Sequence, residues 1–342
     1  MLAEIRQQPE VLQRILDEGW PEILRTADAL REQDIRSVFI AARGTSDNAA
    51  LYAKYLFEVL LGLPVSLASP SAFTLYESGM YLDGALAIGV SQSGESKDVL
   101  QTLRRAGELG AATLSITNDS GSSLASQASW HFDLRTGAEE SVAATKTYTA
   151  ELLVLYLLVR ALQGEQTPPE DASKLPQSCS ETLELGWEGA QRYRYAEYMV
   201  VTSRGYNLAT ANEAALKLME TTYMVAQPFS AADLRHGPFA MIDRGFPVLA
   251  VIPPGPPRQG MMEIVGALAE RGAELLVIGD AEACQRSAAC FTVPETVPNA
   301  SCEELSPILH AIPAQLLAHE LARLKRTDPD APRGLSKVTE TW

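Results

Sequence analysis

The sequence predicts an α/β chain: two tandem doubly wound parallel-sheet subdomains, with an N-terminal helix ahead of them and a C-terminal tail behind. Three observations carry this. Short apolar runs alternate with amphipathic helical stretches, the pattern of βαβ units around a parallel sheet. The pattern occurs twice: Ser37–Gly44 and Tyr198–Gly205 are both apolar runs ending in Arg-Gly, and 110–119 matches 272–280, each after an amphipathic helix. Between the copies, residues 164–178 are polar and contain three prolines, which breaks the periodicity. The expected divisions are 1–32 (N-terminal helical segment), 33–165 (first subdomain), 166–193 (linker and helix), 194–325 (second subdomain) and 326–342 (tail).

Taken in order, the first copy opens with a strand at Ser37–Ala42 and a turn at Arg43-Gly-Thr-Ser46. The run Ala85–Val90 stops abruptly at Ser91-Gln-Ser-Gly-Glu-Ser96, and the helical pattern Lys97–Leu109 follows at once. That is strand, tight loop, helix N-terminus. Hydroxyls, an amide and backbone N–H groups gather there at the positive end of a helix dipole, where an anion such as a phosphate is stabilised. A plain Ser N-cap gives the same local pattern. In the second copy the matching loop reads Pro253-Pro-Gly-Pro-Pro-Arg258. Prolines remove N–H donors, so one phosphate site per chain is expected, in the first copy. The helix of the second copy spans Met261–Arg271, and the tail from Arg326 has little helical character.

Composition excludes several classes. The 342 residues are 46% hydrophobic and 21% charged, and the net charge of −15 disfavours nucleic acid and anionic membranes as partners. Leu152–Leu162 is too short to span a membrane and contains Arg160. With a charged N-terminus and no leader pattern, a cytoplasmic protein is expected. Cys179, Cys284, Cys290 and Cys302 lack metal-site spacing and read as reduced thiols, and the four histidines show no ligand spacing either. The turn after the first strand lacks the glycine pattern of a dinucleotide site.

A second cluster lies in the second copy. In Glu213-Ala-Ala-Leu-Lys-Leu-Met-Glu220, helical spacing puts Glu213, Lys217 and Glu220 on one face, the arrangement also of an ordinary solvated ion pair. His236 precedes Gly-Pro in a turn, where proton transfer is open to an imidazole.

In a series of motifs the chain resembles the sugar isomerase (SIS) domain family, over nearly its whole length from about Val38. The motifs are Arg43-Gly-Thr-Ser46, Ser91–Ser96, Val142-Ala-Ala-Thr-Lys146, Glu213–Glu220, His236-Gly-Pro238 and Pro332-Arg-Gly-Leu-Ser-Lys337. Within the family the likeness is to the isomerase half of glucosamine-6-phosphate synthase and to stand-alone glucosamine-6-phosphate deaminases. The resemblance implies flavodoxin-like αβα sandwiches. It implies that Thr45, Ser46, Ser91, Gln92, Ser93 and Ser96 bind the phosphate and nearby hydroxyls, and that Val142 and Ala144 line the sugar through their backbone. Glu220 would shuttle a proton between C1 and C2, His236 would open the sugar ring, and Lys337 would engage the open-chain carbonyl, making the tail an ordered lid. Arg43, Glu213 and Lys217 would support these groups. His236 would act in the neighbouring subunit's site, so a homodimer with composite sites is implied, with a sugar phosphate as ligand and no metal or cofactor.

The sequence departs from the synthase pattern at Arg43, Ala144 and Met219, and no cysteine follows Met1 to serve a glutaminase. Arg43 and Ala144 agree with the deaminase branch. The leading expectation is an isomerising deaminase that converts glucosamine 6-phosphate to fructose 6-phosphate and ammonia. The alternatives are a synthase-type isomerase, a fructosamine-phosphate deglycase and, outside enzymes, a sugar-phosphate-sensing module.

Overall fold

A computed structural model describes residues 1–293 and 303–337. The described residues contain two five-stranded parallel sheets. The first has strands β1 (Ser37–Ala41), β2 (Val65–Leu67), β3 (Ala85–Val90), β4 (Ala112–Thr117) and β5 (Trp130–Asp133), in the order β2-β1-β3-β4-β5. The second has β6 (Tyr198–Ser203), β7 (Val225–Ser230), β8 (Pro247–Val251), β9 (Glu274–Gly279) and β10 (Ala289–Thr292), in the order β7-β6-β8-β9-β10. The two orders are the same when read copy for copy, as the internal repeat requires, and they are the flavodoxin-like order.

The longer helices are α1 (Trp20–Arg31), α2 (Thr45–Leu60), α3 (Lys97–Glu108), α4 (Lys146–Leu162), α5 (Leu175–Leu183), α6 (Leu208–Thr222), α7 (Arg258–Glu270) and α8 (Ser306–Lys325). Every residue of β3 is buried, as expected of a strand covered on both faces by helices. In the first sheet Phe39, Ala41, Ala85 and Ala87 pack with Val99 and Leu103 of α3. In the second, Val200, Val248 and Val277 pack with Met261, Ile264 and Val265 of α7.

The chain forms two compact units. The first comprises Glu10–Glu139, Lys146–Ser173 and the described residues from Ser336; the second comprises Met1–Pro9, Glu140–Thr145 and the described residues of Lys174–Leu335. The polar stretch 164–178 holds the short helix Glu170–Ser173 and the start of α5 at Leu175, with Pro176 in the first turn, where its missing N–H costs nothing. Cys284 and Cys290, read as reduced thiols, form a disulfide, because β10 and the short helix Ala281–Cys284 bring their Cα atoms to 5.6 Å. Among the described residues no helix is long and apolar enough to cross a membrane.

Candidate active site

In the first sheet, β1 and β3 are neighbours, with Ala41 opposite Gly89, yet one strand is followed by α2 toward β2 and the other by α3 toward β4. This is the topological switch point of a doubly wound sheet, where a crevice opens outside the strand ends. Both predicted anion-loop segments are there. Thr45 and Ser46 open α2 behind Gly44, which sits at φ +58°. Ser91–Ser96 joins β3 to α3, with Ser96 at the helix N-cap.

The loop is held by its own polar groups. The Ser91 N–H continues the ladder to the Ile116 carbonyl (3.1 Å), and the Ser91 hydroxyl accepts from the Gly94 N–H (3.2 Å). The Ser93 hydroxyl accepts from the Glu95 N–H (3.3 Å). The Glu95 carboxylate in turn accepts from the N–H (2.7 Å) and hydroxyl (2.9 Å) of Ser123. Gly94 is at φ +65°, and a Cβ there would lie 2.1 Å from the Ser122 hydroxyl oxygen, so only glycine fits the turn. The sequence reading of an open row of N–H donors is therefore modified: the N–H groups of Ser91, Gly94 and Glu95 have acceptors inside the fold. Ser46 is buried, and its hydroxyl donates to Glu151 (2.7 Å). Arg43 is exposed and grips Asp98 in the first turn of α3 with Nε (3.1 Å) and Nη2 (2.6 Å).

Glu139 is a member of this cluster that the sequence did not disclose. Its side chain is fully buried, and its Oε2 accepts from the Gln92 amide (2.9 Å) and from the Lys337 ammonium (3.4 Å). Its Oε1 accepts from the Thr147 N–H (3.3 Å) at the start of α4. The structure thus gathers Gln92 and Lys337, far apart in sequence, on one carboxylate.

The second unit holds the other predicted residues. Glu213 and Lys217 on α6 are buried, and Glu220 is 20% exposed at the side chain. Lys217 Nζ lies 3.3 Å from Glu213 and 2.6 Å from Glu220. The solvated ion pair open to the sequence is therefore a buried triad with one carboxylate at its accessible end. Burial works against the Lys217 ammonium, but the charges of Glu213 and Glu220 and their hydrogen bonds outweigh it and hold its pKa above the ordinary lysine value.

His236 is exposed at the end of the short helix Ala231–Arg235, and its backbone N–H donates to Asp233 (2.9 Å). Its imidazole makes no hydrogen bond among the described residues, so the structure does not join it to the triad. Val142 and Ala144 belong to the short segment 140–145 of this unit. The Val142 N–H is taken by the Asp330 carbonyl (3.3 Å), and Glu4 accepts from the N–H groups of Glu140 (2.5 Å) and Ser141 (3.1 Å). Tail residue Arg333 donates its N–H to the Tyr223 hydroxyl (3.0 Å).

In the second unit the counterparts of Gly44 and Gly94 are Gly205 (φ +66°) and Gly255 (φ +78°). Here the space is filled by the chain itself: Glu303 Oε1 lies 2.7 Å from where a Gly205 Cβ would be, and Oε2 3.0 Å from that of Gly255. No group of three or more His, Cys, Asp or Glu side chains among the described residues is arranged to hold a metal ion.

The SIS domain family matches residues 31–161 and 193–324. The glutamine–fructose-6-phosphate aminotransferase (isomerizing) of Methanothermobacter thermautotrophicus is 36% identical over 343 residues, 98% of this chain and 56% of that protein. A protein of the same name from Thermus thermophilus is 34% identical over 98% of this chain and 58% of its own length. The chain therefore spans somewhat over half the length of these relatives. The C-terminal domain of glucosamine-fructose-6-phosphate aminotransferase from Francisella tularensis superposes with a TM-score of 0.79 at 26% identity, covering 97% of this chain and 98% of that one. A glucosamine-6-phosphate deaminase of Thermotoga maritima shares the fold, with a TM-score of 0.78 at 21% identity and 99% of both chains covered.

Proposed function

The chain belongs to the SIS domain family, and from that premise we propose that it interconverts fructose 6-phosphate and glucosamine 6-phosphate by aldose–ketose isomerisation, with ammonia consumed or released. The observation that carries this reading is the triad on α6. Lys217 stays charged between two carboxylates, which leaves Glu220 oriented and accessible. A fixed carboxylate is the group that can collect a proton from one carbon and return it to the next.

In the deaminating direction, His236 assists ring opening and the Lys337 ammonium polarises the freed C1 carbonyl. Glu220 removes the proton from C2, the electron pair forms the C1–C2 double bond, and the C1 oxygen takes a proton from the Lys337 ammonium, giving a cis-enolamine. Glu220 then delivers a proton, the transferred one or one exchanged with water, to C1 while the C2 nitrogen gives a proton back to Lys337, yielding the 2-imine of fructose 6-phosphate, which water hydrolyses to the ketone and ammonia. The aminating direction is the reverse of every step. The loop at the β1–β3 switch point, with Thr45, Ser46, Ser91, Gln92, Ser93 and Ser96, holds the phosphate, and Val142 and Ala144 contact the sugar.

The relatives named as isomerizing aminotransferases support the synthase-type direction. Arg43 and Ala144 favour the deaminating one, since both follow the deaminase branch in the resemblance. One experiment tests the reaction and its direction together. Purified protein is incubated with glucosamine 6-phosphate, and separately with fructose 6-phosphate and ammonium chloride, and the sugar phosphates are followed by NMR. Conversion in at least one direction is expected, the faster arm giving the preferred direction; no conversion in either arm overturns the proposal.

A further inference from the structure

We propose that Glu139 is a positioning residue for the reaction described above, a shared anchor that fixes the phosphate-loop amide of Gln92 and the tail ammonium of Lys337 in one arrangement. This rests on the functional reading of Gln92 and Lys337, but the anchoring itself is visible in the geometry. The Glu139 side chain is 0% exposed, against 28% for Lys337. A buried carboxylate without a counter-charge is costly. The ion pair with Lys337 offsets that cost, and the N–H of Thr147 and the amide of Gln92 add hydrogen bonds to the ionised form.

The division of labour between the two oxygens is informative. Oε1 faces the first turn of α4, an ordinary helix-capping role that any acceptor could fill. Oε2 alone receives both groups to which the reaction assigns a task. A loop and a tail distant in sequence are thereby placed by a single atom. The charge matters on the Lys337 side, and the hydrogen bond on the other two. Glu139→Gln keeps an acceptor and the volume while deleting the charge, and Glu139→Asp keeps the charge.

Two measurements on the full chain decide the matter. The first is cleavage by trypsin after Lys337, followed by mass spectrometry. Glu139→Gln is expected to accelerate this cleavage about fivefold, the scale of one lost partly exposed ion pair, while cleavage after Lys97 stays at the parent rate. Equal cleavage after Lys337 in parent and variant overturns the anchoring. The second is steady-state kinetics with the active sugar phosphate. Misplacing Lys337 lowers kcat by up to about 100-fold with KM unchanged, the signature of lost orientation in the chemical step, and Glu139→Asp recovers much of it. A loss that follows only thermal stability, with no recovery in Glu139→Asp, assigns Glu139 a helix cap alone and overturns the proposal. A parent enzyme inactive on both sugar phosphates overturns the functional reading instead, and the trypsin measurement then decides the anchoring by itself.

Discussion

At the scale of single residues, the proposed chemistry rests on which carboxylate is accessible. On α6, Glu213 is 1% exposed and Glu220 20%, though both face Lys217. Glu220→Gln keeps the volume and a hydrogen-bonding oxygen for Lys217 but cannot carry the proton. Turnover is expected to fall by at least about 100-fold, the usual contribution of a group that moves a proton in the chemical step, with calorimetric affinity for the sugar phosphate retained. Turnover close to that of the parent would assign the base to another residue. The spacing of Glu213, Lys217 and Glu220 was legible in the sequence because helical periodicity fixes it. Their burial was not, because α8, which shields α6 through contacts such as Thr221 with Ala318, lies far along the chain. Glu139 was invisible for the same kind of reason: one of two adjacent glutamates in an irregular segment, it gains meaning only when Gln92 and Lys337 meet it.

At the scale of elements, sequence patterns located β3, the Ser91–Ser96 loop and α3 because strand, turn and helix N-terminus each leave a local mark. They could not show how the loop is held, since the Ile116 carbonyl that takes the Ser91 N–H and the Ser123 that donates to the Glu95 carboxylate come from other elements. The corresponding place in the second unit leads to a pH prediction. Burial, reinforced by the charge of Glu304, pushes the Glu303 carboxyl up to about 7. The folded state then holds a proton that the unfolded state has lost, so this group's contribution to stability falls as pH rises from about 4.5 to about 7 and stays lost above. His310 on α8 works the other way: burial lowers it to about 4, so its contribution falls as pH drops from about 6.5 to about 4. Glu303→Gln should therefore gain stability relative to the parent as pH rises through this window, by up to the order of 3 kcal/mol at pH 8. Denaturant unfolding of both proteins at pH 5 and pH 8 checks this; a difference independent of pH would contradict it.

At the scale of the whole molecule, the repeat produced two sheets of one topology whose loops have diverged: one keeps its serines, the other takes up prolines and its own Glu303. We propose a two-fold dimer in which the exposed His236 serves the neighbouring subunit's site. Chains carrying His236→Ala and chains carrying Glu220→Gln would then complement each other. Random pairing makes half the dimers mixed, each with one intact site, so co-refolding should restore up to about a quarter of the parent activity. No recovery would mean that both residues act in the same chain's site. The proposed proton transfer between adjacent carbons of a hexose 6-phosphate is read out by incubating the protein with glucosamine 6-phosphate in deuterated water and following the C2 proton by NMR. Loss of the C2 proton signal is expected with the parent protein, and its retention with Glu220→Gln. An unchanged C2 signal in the parent, after long incubation with folded protein, would contradict it.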